Sequence, residues 1–122
     1  MHITGYLHTA ILVANLERAK QFYGGILGLT EVERALKFPG VWYQLGDYQI
    51  HLMVQEQYQS AISAEHKWGR NAHIALRVDN LETAKVELVA AGCDIRLSSS
   101  GRRALFVRDP DGNVLELSQV EA

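Results

Sequence analysis

Two stretches of the chain alternate apolar and polar positions. Over residues 7–13, Ile11 and Val13 point one way and His8, Ala10 and Leu12 the other; over 73–78, Ile74, Leu76 and Val78 oppose His73, Ala75 and Arg77. A period of two predicts strands with one buried face. Behind each strand stands an asparagine, Asn15 or Asn80, placed as a helix N-cap, and apolar residues then recur at helical spacing. They are Leu16, Ala19, Tyr23 and Ile26 in the first helix and Leu81, Ala84, Leu88 and Ala91 in the second. Gly24-Gly25 and Gly28 end the first stripe, and Gly92 the second. Short strands are predicted over 29–36, 41–45 and 49–54, and again over 95–98, 103–107 and 113–118. Pro39-Gly40 and Gly46-Asp47 punctuate the first set. Asp109-Pro110-Asp111-Gly112 has the residues of a type I turn.

The order β-α-β-β-β thus occurs twice, and the chain aligns with itself at a shift of 65 residues. Eight of the thirteen positions from His8 to Lys20 are identical in the segment His73 to Lys85. Two copies of this length are too few and too long for a solenoid. The expected fold class is α+β, two βαβββ modules forming a cupped mixed sheet with helices on the outer face. Module one covers about 5–55 and module two about 72–119, in a single domain over 1–122. Residues 55–71, polar around Trp68, are expected to join the modules, with a lid over a pocket as the alternative.

Composition narrows the partners. The 122 residues carry 12 Lys plus Arg against 14 Asp plus Glu, a formal charge of −2 with no basic block, so nucleic acid is not expected and a small-molecule substrate is. Cys93 is the only cysteine, which excludes an internal disulfide and fits a reducing compartment; it reads as a small buried hydrophobe. No apolar run reaches the roughly 18 residues of a membrane span, and the start lacks the regions of a signal peptide, so no membrane partner and a cytoplasmic location are expected.

With the helices on the apolar face, His8, His51, His73 and Glu116 share the opposite one. His8 and His51 are 43 residues apart, as are His73 and Glu116, so the four form two symmetry-equivalent pairs. A sheet curling into a cup would bring them to one centre. Three imidazoles and a carboxylate suit a single borderline divalent ion: Zn, Ni, Fe, Co or Mn. Four protein ligands on a six-coordinate ion leave two neighbouring positions for two substrate oxygens. Glu116 is the candidate for ligand and catalytic proton shuttle. Arg77 and Arg70, with Arg102 and Arg103, are candidate anchors for a substrate anion, and Trp42 and Met53, with Tyr43 and Trp68, for the pocket wall. No further cofactor is expected, because no Gly-rich phosphate loop leads from a strand into a helix.

His8 in the first strand, Phe22-Tyr23 through Leu27-Gly28-Leu29, His73-Ile74-Ala75-Leu76, and Asp109-Pro110-Asp111-Gly112-Asn113-Val114-Leu115-Glu116-Leu117 together resemble the vicinal oxygen chelate superfamily over nearly the whole chain. That group holds glyoxalases, epimerases, extradiol dioxygenases, fosfomycin-resistance transferases and bleomycin-binding proteins. The resemblance implies paired βαβββ modules around a metal, often assembled across a homodimer interface. The chain departs from glyoxalase I at Leu12, where that enzyme has arginine, and at His51 and Gln55, where it has glutamate and asparagine. Phe106 replaces the tyrosine of dioxygenases and fosfomycin transferases. The expected activity is glyoxalase- or epimerase-like proton transfer, a lyase or isomerase reaction. The alternatives are an Fe(II) extradiol dioxygenase and a non-catalytic, drug-sequestering binding protein.

Overall fold

The computed structural model describes residues 1–62 and 64–120. Ser63, in the stretch expected to join the modules, and the last two residues lie outside the described residues. The chain divides into two units, Met1–Gln59 and Ser60–Ala122.

The first unit runs β1 (His8–Val13), α1 (Leu16–Lys20), a π-helical turn (Gln21–Ile26), β2 (Thr30–Val32), β3 (Gly40–Leu45) and β4 (Tyr48–Val54). Its sheet has the order β1-β4-β3-β2, with β1 parallel to β4 and the other pairs antiparallel. Parallel neighbours need a crossover, which the helical segment supplies. The alternation predicted for the strands sets the core: Ile11, Val13, Val41, Tyr43, Ile50 and Leu52 are buried, as are Ala19, Phe22 and Tyr23 of the helical segment. Each fully buried side chain of this size contributes roughly 1.5–3 kcal/mol. Asn15 caps α1 as expected, its Oδ1 accepting from the Arg18 N–H at 2.9 Å.

Two expectations are corrected here. The first helix is not α-helical through Ile26. After Lys20 it widens, the Leu27 N–H reaching back five residues to the Phe22 carbonyl at 2.9 Å, and this turns the adjacent Phe22 and Tyr23 both inward. Gly24 within the turn is closed on by Tyr43, whose hydroxyl oxygen would stand 3.3 Å from an added Cβ. The strand predicted over 29–36 pairs only at Thr30–Val32. Beyond it Arg34 donates to the Phe38 carbonyl at 2.7 Å and closes a loop, and Pro39 has no N–H to continue a ladder.

The second unit repeats the plan: β5 (His73–Arg77), α2 (Leu81–Ala90), β6 (Ile95–Leu97), β7 (Ala104–Arg108) and β8 (Val114–Ser118), in the order β5-β8-β7-β6. Asn80 caps α2 through the Thr83 N–H at 2.9 Å. In the Asp109 turn the Gly112 N–H bonds to the Asp109 carbonyl at 3.0 Å, and the Asp109 carboxylate accepts from the Asp111 and Asn113 N–H groups, each at 2.9 Å. Gly112 has φ 89°, a conformation that favours glycine. The stripe proposed for α2 stops short, since the helix ends at Ala90 and Ala91 is exposed.

Pairing registers match across the repeat. His8 faces Gln49 and Ala10 faces His51 in the first sheet; His73 faces Val114 and Ala75 faces Glu116 in the second. All four positions differ by the same 65 residues. The sheets differ in their covering. Ala104 to Val107 and Val114 to Leu117 are buried on both faces, because the segment before β5 folds back over them. Trp68, in a 3-10 turn (Trp68–Arg70), clusters with Phe106, Val114 and Ile62. Asn71 fastens this cover, accepting from the Ala64 N–H and donating to the Ala64 and Trp68 carbonyls. Residues 60–62 and 64–71 are therefore packed structure of the second unit and not a plain connection. Among the described residues no helix is long and apolar enough to cross a membrane.

Candidate functional site

In the second unit, β5 and β8 run side by side and present His73 and Glu116 on the face opposite α2. His73 Nδ1 lies 2.7 Å from the Asn71 carbonyl oxygen, which can only accept, so the ring donates there, and in the neutral ring Nε2 carries the lone pair. That nitrogen faces Glu116 Oε1 at 3.4 Å. Two ligands held about 2.1 Å from one ion are about 3.0 Å apart at the octahedral angle and about 3.4 Å at the tetrahedral one. Phe106, edge-on to His73 with centroids 5.6 Å apart, limits the ring's rotation.

Glu116 is buried, its side chain 9% exposed, and is divided in its bonding. Oε2 accepts from the Ser118 hydroxyl at 2.6 Å, whereas Oε1 has His73 and, at 3.6 Å, Arg102 Nη2. Burial pushes the carboxyl's pKa up, but the Ser118 hydrogen bond, Arg102 and His73 together outweigh it and hold the group below the ordinary glutamate value. A carboxylate beside an imidazole lone pair fits a borderline divalent cation.

This pair lies on the wall of a cavity of about 580 Å³ that also contains Lys67, Arg70, Arg96, Arg102, Ser98 and Ser100. Arg96 lies over the Trp68 ring, 4.4 Å from its centroid.

In the first unit, the equivalent strands bring His8 and His51 together as a stack, with centroids 4.0 Å apart and planes 12° from parallel. Trp42, the cross-strand partner of His51, stacks on its other side at 4.2 Å. Imidazole lone pairs lie in the ring plane, so two nearly parallel rings do not meet at one ion in this pose; ligation by both requires one ring to turn. A chain of amides fixes the His51 tautomer. Gln44 Nε2 donates to the Gly46 carbonyl at 2.7 Å, so Gln44 Oε1 accepts from Gln49 Nε2 at 2.8 Å. Gln49 Oε1 then accepts from His51 Nε2 at 2.7 Å, leaving Nδ1 as the free lone pair of the neutral ring. Burial, then His8 and then Arg34, lower the His51 pKa and favour that neutral form.

The structure thus brings the four candidate ligands together as two pairs. Among the described residues no three or more His, Cys, Asp or Glu side chains form a group that could hold an ion. Of the candidate substrate residues, Arg70 lines the second unit's cavity, Trp42 stacks on His51, and Met53 stands half-buried two residues along the strand from His51. Arg77 is exposed at the end of β5 and is not among the residues lining that cavity. Sequence reasoning missed Ser118, Gln49 and the Asn71 carbonyl. The first two follow from strand periodicity, since each lies two residues from a candidate ligand and so on its face.

The model of the glyoxalase/bleomycin resistance protein/dioxygenase superfamily matches residues 5–117. The chain is 29% identical to human mitochondrial methylmalonyl-CoA epimerase, with 92% of this chain and 72% of that protein covered. It is 26% identical to lactoylglutathione lyase of Salmonella typhimurium, over 94% of this chain and 92% of that one. A crystal structure from Bacillus anthracis assigned to the glyoxalase family superposes with a TM-score of 0.80 at 26% identity, covering 99% of this chain and 98% of the other.

Proposed function

Because the chain belongs to the glyoxalase/bleomycin resistance protein/dioxygenase superfamily, we propose that it is a metal-dependent lyase or isomerase. In this proposal it binds a small substrate through two neighbouring oxygens and moves a proton beside a carbonyl. The observation that carries the proposal is the His73 Nε2 to Glu116 Oε1 separation of 3.4 Å, with both partners' remaining atoms already engaged by Asn71 and Ser118. Such outer contacts fix ring orientation and donor basicity. The similarity to an isomerase and a lyase, each over more than nine-tenths of this chain, supports proton transfer over oxygen chemistry.

His73 and Glu116 are the ligands from the second unit, and His8 and His51 the donors from the first, supplied by the same chain or by a second copy in a homodimer. A divalent ion held there polarises a substrate oxygen and stabilises the negative charge left when the adjacent proton departs. Glu116 would take and return that proton at Oε1 on giving up the ion, with Ser118 still holding Oε2. Neutral His73 and ionised Glu116 are the protonation states that ligation requires.

The test is elemental analysis of protein purified without chelators or an affinity tag, beside His73→Ala, Glu116→Gln and His51→Ala. One transition-metal ion per chain is expected, with affinity falling at least about 10-fold in each variant. A protein that carries no such ion and cannot be loaded would be a small-molecule binder instead. Full occupancy in His51→Ala alone would leave a three-ligand site and favour the dioxygenase.

A further inference from the structure

Arg102 touches the carboxylate oxygen facing His73. Its Nη2 lies 3.6 Å from Glu116 Oε1, while its side chain is 59% exposed. Its Nε donates to Ser100 Oγ at 3.0 Å, within the loop between β6 and β7. The guanidinium is therefore held by the loop at Nε and open to solvent along its side chain. A divalent ion on Glu116 Oε1 competes with this guanidinium, because it repels a like charge a few ångströms away and takes up the negative charge that holds Arg102.

Once released, Arg102 does not face a neutral wall. Lys67, Arg70 and Arg96 line the same cavity, with the hydroxyls of Ser98, Ser99 and Ser100, and Glu116 is the only carboxylate among the lining residues. An ion that neutralises Glu116 leaves this lining strongly positive. A guanidinium presents a planar fork suited to carboxylate or phosphate oxygens.

We propose that Arg102 is a counter-ion latch: it holds Glu116 while no ion is bound and passes to an anionic group of the substrate when Glu116 turns to the ion. Resting on the metal reading above, this names the substrate class as a small carboxylate or phosphate that carries its two chelating oxygens a few bonds from the anionic group.

The test uses nickel(II) and two hydroxamates. Acetohydroxamate offers the vicinal oxygens alone, and phosphonoacetohydroxamate adds an anion. By calorimetry, Arg102→Ala is expected to bind nickel at least about threefold more tightly than the native protein, its competing cation gone. The nickel-loaded native protein is expected to prefer the phosphonate at least about tenfold, and Arg102→Ala to lose most of that preference. Unchanged or weaker nickel binding in the variant, or a preference that survives it, would overturn the latch while leaving the metal site standing. Failure of both proteins to take up nickel would overturn the metal reading and the latch with it.

Discussion

Ser118 donates its hydroxyl to Glu116 Oε2 at 2.6 Å from two residues further along the same strand. The period of a strand puts both on one face, so the ladder itself supplies the partner that keeps the carboxylate ionised. A charge-assisted hydrogen bond of this kind contributes about 1.5–3 kcal/mol.

Ser118→Ala is accordingly expected to lower stability by about 1–2 kcal/mol at neutral pH and to raise the Glu116 pKa. In the native protein that pKa is depressed. Its contribution is therefore present above the unfolded glutamate value of about 4.3 and is lost as pH falls through the lower folded value. Urea midpoints should show the native protein losing more stability than Ser118→Ala on acidification, the two curves converging. Parallel curves would show that Ser118 acts without Glu116.

His51 titrates in the opposite chemical sense, with the same sign for stability. Its pKa is lowered by burial, then by His8 and then by Arg34. Between the folded value and the unfolded one of about 6.5 the unfolded chain binds a proton that the folded chain does not, so stability is lost as pH falls through that window. Arg34→Met removes the third cause and should raise the His51 pKa, followed by the ring-proton NMR shift across the titration. An unmoved His51 titration would remove Arg34 from the electrostatics of the stack.

Gly69 lies so close to Phe106 that an added Cβ would stand 2.5 Å from the ring's Cζ. Gly69→Ala must therefore push Phe106, which is buried under the Trp68 cover and sets the edge of His73. The expected cost is about 1–3 kcal/mol, read from urea unfolding, together with weaker nickel binding. Gly25→Ala, with nothing within 4 Å of its new Cβ, is the matched control and should leave nickel binding unchanged.

Period-two alternation and a 65-residue repeat were enough to read both sheets, both caps and the two pairs of candidate ligands, because these features depend on local geometry that the sequence repeats. The π-helical turn was not legible. It turns Phe22 and Tyr23 both into the core, and helical spacing cannot register two adjacent inward residues. Nor was the early end of β2, which depends on Arg34 reaching the Phe38 carbonyl. The Trp68 cover was hidden by a polar composition in which one tryptophan, one isoleucine and the bonds of Asn71 do the packing. Arg102 escaped assignment to Glu116 because loop side chains follow no period.

Among the described residues, each hydrogen-bonded strand pair closes within its own unit. A ribosome that has released Val54 has already delivered all the partners of the first ladder, and at about 5–20 residues per second residues 55–122 take roughly 3–14 s to emerge. Strand topologies of this size assemble in milliseconds to seconds. The N-terminal ladder thus has time to form on the nascent chain before its counterpart exists, which lowers the chance that equivalent strands of the two halves, so alike in sequence, pair with each other.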